Sequence, residues 1–149
     1  MSIKIISHRG NLYGPDKENE NTPSQILLAI QKGFDVEIDF WSEDNRLFLG
    51  HDYPEHEIPI SFLRENQEYL WIHCKSLEAM DLLKRMLPSS NFFWHQNDDF
   101  TLTSLGYIWT YPGKETIESS VIVDLSDNPN DKLFAFGICT DYPEKIRIK

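Results

Sequence analysis

"NTPSQILLAIQKGFDVEIDF", residues 21–40, contains a helix followed directly by a strand. Thr22 is placed as a helix N-cap, Pro23 suits the first helical position, and Gln25 completes a T-x-x-Q capping box. Ile26, Leu27, Ala29 and Ile30 then make an apolar stripe, and Gly33 is placed to end the helix. In "DVEIDF" (35–40) the side chains alternate, so Val36, Ile38 and Phe40 share one face while Glu37 and Asp39 share the other. In an isolated, half-exposed strand those carboxylates would simply face solvent, the commoner arrangement. In a barrel they would face the interior, where two like charges need a cation.

Working outward, similar apolar runs recur along the chain. Strands are expected at "IKIIS" (3–7), "DVEIDF" (35–40), "LFLGH" (47–51), "YLWIHCK" (69–75), "NFFWHQ" (91–96), "GYIWTY" (106–111), "SVIVDL" (120–125) and "FAFGICT" (134–140). Near-continuous apolar runs of this kind suit parallel strands buried on both faces. A second helix is expected from Ser76 through "LEAMDLLKRML", with Leu77, Met80, Leu83 and Leu87 at helical spacing before Pro88. Weaker helical turns fit "ISFLREN" (60–66) and "DFTLTSL" (99–105). Strands alternating with helices predict an α/β fold, a miniature TIM-like closed β/α barrel forming a single domain over residues 1–149.

Such barrels usually need about 200 residues or more. Here the late connections "PGKETIES" (112–119) and "SDNPNDK" (126–132) are too short for proper helices, so the outer helical ring should be incomplete over the last three strands. Apolar surface left uncovered there would favour self-association into a homodimer.

The formal net charge of -10 argues against nucleic acid as a partner and against stable docking on anionic membranes. No segment reads as a membrane span or a signal peptide, which points to the cytoplasm. Cys74 and Cys139 sit inside apolar runs and read as buried free thiols.

In β/α barrels the chemistry sits at the C-terminal ends of the strands. His8 and Arg9 follow the first expected strand, Glu37 and Asp39 lie in the second, His51 and Asp52 close the third, and His73 and Lys75 close the fourth. His95 and Gln96 end the fifth strand and Asp124 ends the seventh. Each has a plainer reading alone: His95 as a packed or hydrogen-bonded residue, Asp124 as a turn cap. Their accumulation at strand ends is hard to obtain from surface decoration.

"SHRG" (7–10), "ENTPSQILLAIQKGFDVEIDFW" (20–41) and "DNRLFLGHD" (44–52), with "WIHCK" (71–75) and "GICTDYP" (137–143), resemble the glycerophosphodiester phosphodiesterase family. That family belongs to the phosphatidylinositol-phospholipase-C-like barrels. The resemblance implies a phosphoric diester hydrolase acting on a small glycerophosphodiester-like or sugar-phosphate substrate. His8 and His51 would be its acid/base pair. Glu37 and Asp39 would hold one divalent ion, magnesium foremost, with manganese, calcium or zinc as alternatives. Arg9 and Lys75 would steady the phosphate. In the family a neighbouring substrate hydroxyl attacks first, and water then opens the cyclic phosphate.

The chemistry of the residue types agrees with these roles. Histidine titrates at about pH 6.5, so one imidazole can accept a proton while another donates one. Arg9 offers a planar fork to phosphate oxygens and Lys75 a point charge.

Two departures stand out. His73 occupies the place of the family's third metal-binding carboxylate; His73 completes the metal site, or else Asp124 or water does. Only a short segment separates His51 from Ile58, where larger members insert a substrate-covering segment. The pocket would then rely on short loops and aromatics, among them Trp109 on the substrate side; Trp41, Tyr53, Trp94 and Tyr111 are the others. An alternative reading is a catalytically weak barrel that binds a phosphate or sugar phosphate as a regulatory module. A third is a phosphomonoesterase, or a lyase that stops at a cyclic product.

Overall fold

The structure is a computed structural model that describes residues 2–148. β1 (Lys4–His8) leads through a long loop to α1 (Pro23–Gln31), and β2 (Asp35–Glu43), β3 (Arg46–Leu49) and β4 (His56–Ile58) follow. α2 (Ile60–Asn66) precedes β5 (Leu70–Cys74), and α3 (Leu77–Met86) precedes β6 (Asn91–Phe93). β7 (Phe100–Leu102), β8 (Ile108–Thr110), β9 (Ser120–Val123) and β10 (Gly137–Thr140) come before α4 (Pro143–Ile148).

Seven of these strands run parallel in the order β6-β5-β2-β1-β10-β9-β8. The sheet curls far enough for Trp71 of β5, Phe93 of β6 and Trp109 of β8 to share one interior cluster with Ile6, Val121 and Cys139. Phe93 and Trp109 stack at 4.5 Å between ring centroids, although their strands share no ladder. The expected closed barrel is therefore open between β6 and β8. The segment around β7 stitches that seam: Ser104 N–H donates to the Phe92 carbonyl at 2.8 Å, and Thr101 Oγ1 to the Trp94 carbonyl at 2.9 Å.

The expected third barrel strand is used elsewhere, and β2 pairs directly with β5. Residues 46–49 turn back on β2 as an antiparallel hairpin, and β4 pairs antiparallel with β3 in turn. The turn residues Asp44 and Asn45 have φ of 51° and 63°. Two consecutive left-handed residues make the turn that favours a two-residue hairpin, and Asp and Asn tolerate it best after glycine. The weak helical turn expected over 99–105 is likewise β7, paired antiparallel with β8.

Alternation sorts the side chains. Val36, Ile38 and Phe40 of β2, with Leu70, Ile72 and Cys74 of β5, pack outward against α1, α2 and α3. Glu37, Asp39, Trp71 and His73 have the opposite parity and face inward. α1 forms where expected, and Thr22 Oγ1 accepts from Gln25 N–H at 3.3 Å. The capping box is only half made, because Gln25 Nε2 donates to the Gly10 carbonyl instead, at 2.9 Å. That bond ties the helix to the loop after β1.

In α3 the buried side is Ala79, Leu82 and Leu83, whereas Leu77, expected in the stripe, is 80% exposed. The helical ring is incomplete, as expected: after α3 the next helix is α4, whose Ile146 packs on Ile122 and Ile138. No helix among the described residues is long and apolar enough to cross a membrane.

Candidate active site

Register alone brings the central residues together. His8 is opposite Glu37 across β1 and β2, and Asp39 is opposite His73 across β2 and β5. All four side chains point inward, His8 and His73 from the C-terminal ends of β1 and β5, and Glu37 and Asp39 from the stretch of β2 paired with them. They line a cavity of about 280 Å³ together with Arg9, His51 and Trp109. Larger cavities of about 590 and 840 Å³ open elsewhere, the first around Asp35 and Trp71 at the opposite end of the strands. Among the described residues, Glu37, Asp39 and His73 form the one group of metal-type donors, with their donor atoms all within 4.8 Å of one another.

Asp39 is the most heavily contacted of the three. It accepts from Asn21 Nδ2 at 2.9 Å, and its own N–H donates to Asn21 Oδ1 at 3.0 Å. Arg9 Nε lies 3.2 Å from Asp39 Oδ2, in a direction that does not complete a hydrogen bond, while Arg9 Nη1 donates to Glu20 at 3.2 Å. Burial would raise the Asp39 carboxyl, but the His73 ring beside it and the charge of Arg9 outweigh it. Its pKa lies well below the usual carboxylate range. For Arg9 too, burial opposes the charge and the nearby carboxylates of Asp39, Glu37 and Glu20 more than offset it.

Glu37 behaves oppositely. Its side chain is buried, Oε1 has no hydrogen-bond partner, and Oε2 lies 3.7 Å from His8 Nε2. Burial and the adjacent Asp39 charge push its pKa up to about 7. A buried carboxylate oxygen without a partner is costly, and a cation held jointly by Glu37, Asp39 and His73 would supply one. The residues present therefore fit a divalent ion. Asp124 does not join them: it accepts from the N–H groups of Ser126 and Asn130 and from the Ser126 hydroxyl, and so caps its own loop.

His8 is held by a residue that sequence reasoning did not single out as functional. Asp141, just past β10, accepts from His8 Nδ1 at 2.7 Å and from Asn11 Nδ2 at 2.9 Å. Burial disfavours the charged imidazole, but the bond to Asp141 and the Glu37 charge outweigh it, and the His8 pKa lies above the ordinary value. With Nδ1 committed, Nε2 is the atom His8 can use for proton transfer. The signal in the sequence was "TDYP", but nothing local pairs Asp141 with a residue 133 positions earlier.

His51 does not end a barrel strand as expected. It lies in the loop after β3 and still reaches the same cavity. Its Nδ1 contacts Asp52 at 2.9 Å, but Asp52 is 82% exposed and solvent screens its charge. Partial burial and the positive charges of Arg9 and Lys75 lower the His51 pKa. His8 and His51 are thus shifted in opposite directions. Lys75 is half-buried beyond β5, with its N–H on the Phe40 carbonyl at 2.8 Å; it acts on His51 through charge and is not among the cavity's lining residues. Trp109 lines the cavity and is also 4% exposed within the interior aromatic cluster.

The loop after β1 supplies Arg9, and strain marks its ends. Arg9 and Asn21 both have φ of 59°, and Asn21 N–H donates to the Arg9 carbonyl at 2.9 Å. Non-glycine residues in this region store strain that surrounding contacts must hold, a pattern concentrated at functional sites. Glu20 and Asn21, quoted within the matching stretch but given no role, and Asn11 are the residues doing the holding.

No family model matches the chain, and no curated protein matches it. Among solved structures, the chain resembles the crystal structure of a glycerophosphodiester phosphodiesterase from Agrobacterium tumefaciens str. C58. The TM-score is 0.50 and the identity 14%, over 99% of this chain and 100% of that one. At that identity the likeness is one of fold: an α/β chain on the plan of that barrel, here with its parallel sheet left open.

Proposed function

We propose that the protein hydrolyses a small phosphodiester with the help of one divalent ion, using two histidines as acid and base. The observation that carries this reading is the meeting of His8, its buried partner Asp141, and the Glu37, Asp39 and His73 donors at one cavity. A divalent ion held by Glu37, Asp39 and His73 would polarise a phosphoryl oxygen and neutralise charge growing on it.

This chain's residues do the rest. Asp141 fixes the His8 tautomer, so that Nε2 takes or gives a proton at the attacking or leaving oxygen. His51, with its pKa lowered, serves the opposite role from the other side of the substrate. Arg9 is pinned by Glu20 and Asp39 so that its remaining N–H groups meet phosphate oxygens, and Lys75 adds positive charge nearby. Trp109 forms an apolar wall.

A purely binding role leaves the Asp141–His8 pair without a purpose, since a phosphate site needs no oriented proton carrier. The reading is tested with purified protein, an activated diester such as bis(4-nitrophenyl) phosphate, and added manganese or magnesium. His8→Ala and His51→Ala should each lower turnover by at least about 100-fold, with the circular-dichroism melt nearly unchanged. Undiminished turnover in the double variant would sink the assignment.

A further inference from the structure

We infer that the site selects a first-row transition ion, of the manganese(II), iron(II) or zinc(II) class, over magnesium and calcium. The inference rests on the proposed role of Glu37, Asp39 and His73 as donors. Magnesium and calcium are hard cations that take oxygen ligands, and an imidazole in place of an oxygen favours the later divalent ions.

His73 is presented as a ligand by its surroundings. Its Nε2 lies 2.8 Å from the His95 carbonyl oxygen, which can only accept, so Nε2 carries the hydrogen. Nδ1 is then the nitrogen left to face Asp39 Oδ1, at 3.3 Å. A hydrogen bond of this type fixes both the tautomer and the ring orientation of a metal-binding histidine. The ring plane is set a second time by Phe93, stacked 5.1 Å away at 15°. The His95 carbonyl is itself anchored, because His95 Nε2 donates to the Asp98 carbonyl at 2.6 Å.

An independent observation points to the same place. Glu37 Oε1 is buried without a partner beside this pair. Donors that share an ion at about 2.0–2.2 Å sit about 3.0–3.4 Å apart, and the Asp39 and His73 atoms already have that spacing.

The experiment titrates manganese(II) into the metal-stripped full-length protein, followed by the loss of its free electron-paramagnetic-resonance signal, with magnesium and calcium as competitors. Manganese should bind at least about 100-fold more tightly than magnesium, and the bound ion should show hyperfine coupling to one imidazole nitrogen. In His73→Glu that coupling should vanish, and the manganese-to-magnesium ratio should fall by at least about tenfold. Near-equal affinities, no nitrogen coupling, or coupling that survives in His73→Glu would each overturn the inference. If His73→Glu does not fold, the wild-type ratio and coupling decide alone. Near-equal affinities alongside working diester hydrolysis would overturn the selectivity and leave the proposed function standing. Selective binding without hydrolysis would do the reverse.

Discussion

His8 Nδ1 and Asp141 Oδ1 lie 2.7 Å apart, buried, with 133 residues of chain between them. The pair joins the first and last strands of the sheet, because β1 and β10 run side by side. It gives His8 one usable nitrogen and a raised pKa.

Asp141→Asn removes the charge and keeps the shape. Turnover should fall by at least about 100-fold, and the limb of the pH–rate profile due to His8 should move to lower pH. A purely structural role for Asp141 would lower the melting temperature and leave that limb in place.

Stability in the absence of metal should depend on pH in a defined sense. Glu37 and His8 both have folded pKa values above their ordinary ones. The folded state therefore holds protons that the unfolded chain has released, and stability falls as pH rises: from about 4.5 to about 7 for Glu37, and above about 6.5 for His8. Asp39 and Asp141 are shifted down, so their contribution is present above the ordinary aspartate value near 3.8 and is lost as pH falls below it. Denaturant melts of metal-stripped protein should show maximum stability between about pH 4 and pH 5, and Glu37→Gln should flatten the decline toward pH 8. Adding metal should restore stability at pH 8; near pH 6, where Glu37 still holds its proton, binding should release that proton, measurable by titration in buffers of different ionisation enthalpy.

Gly50 controls the placement of His51. Its φ is +155°, and a Cβ there would come within 2.2 Å of the Tyr53 carbonyl oxygen. Its own carbonyl accepts from Trp41 Nε1 at 2.6 Å, which anchors the loop at that residue. Gly50→Ala should therefore lower turnover by at least about tenfold while the interior core stays intact, as judged by the near-ultraviolet circular dichroism of the buried tryptophans.

Trp109 contributes to packing as well as to the cavity. Trp109→Ala should cost about 3–5 kcal/mol of stability, whereas Trp109→Phe should keep the fold and much of the activity. A fully stable alanine variant would mean that the aromatic interior does not support the open sheet.

Much of this arrangement was legible from local signals. Thr22, Pro23 and Gly33 bounded α1, and the parity of Glu37 and Asp39 put both carboxylates on the inner face of β2. His73 and the other strand-end residues followed from the same alternation. The hairpin at residues 46–49 was missed because a short apolar run reads alike in a parallel or an antiparallel strand. The deciding detail was the left-handed pair Asp44 and Asn45. Glu20, Asn21 and Asp141 lay inside the quoted stretches without a role because their partners are set by tertiary contact, and the open seam between β6 and β8 depends on how far the whole sheet curls.

In the proposed site, cation and phosphate meet between Glu37, Asp39, His73 and the two histidines. A crystal soaked with manganese and inorganic phosphate, measured at the manganese absorption edge, tests it most directly. One strong anomalous peak is expected in contact with Glu37, Asp39 and His73, with phosphate density between His8 and His51 and against Arg9. A cavity empty of both, or manganese bound only at surface carboxylates, would contradict it.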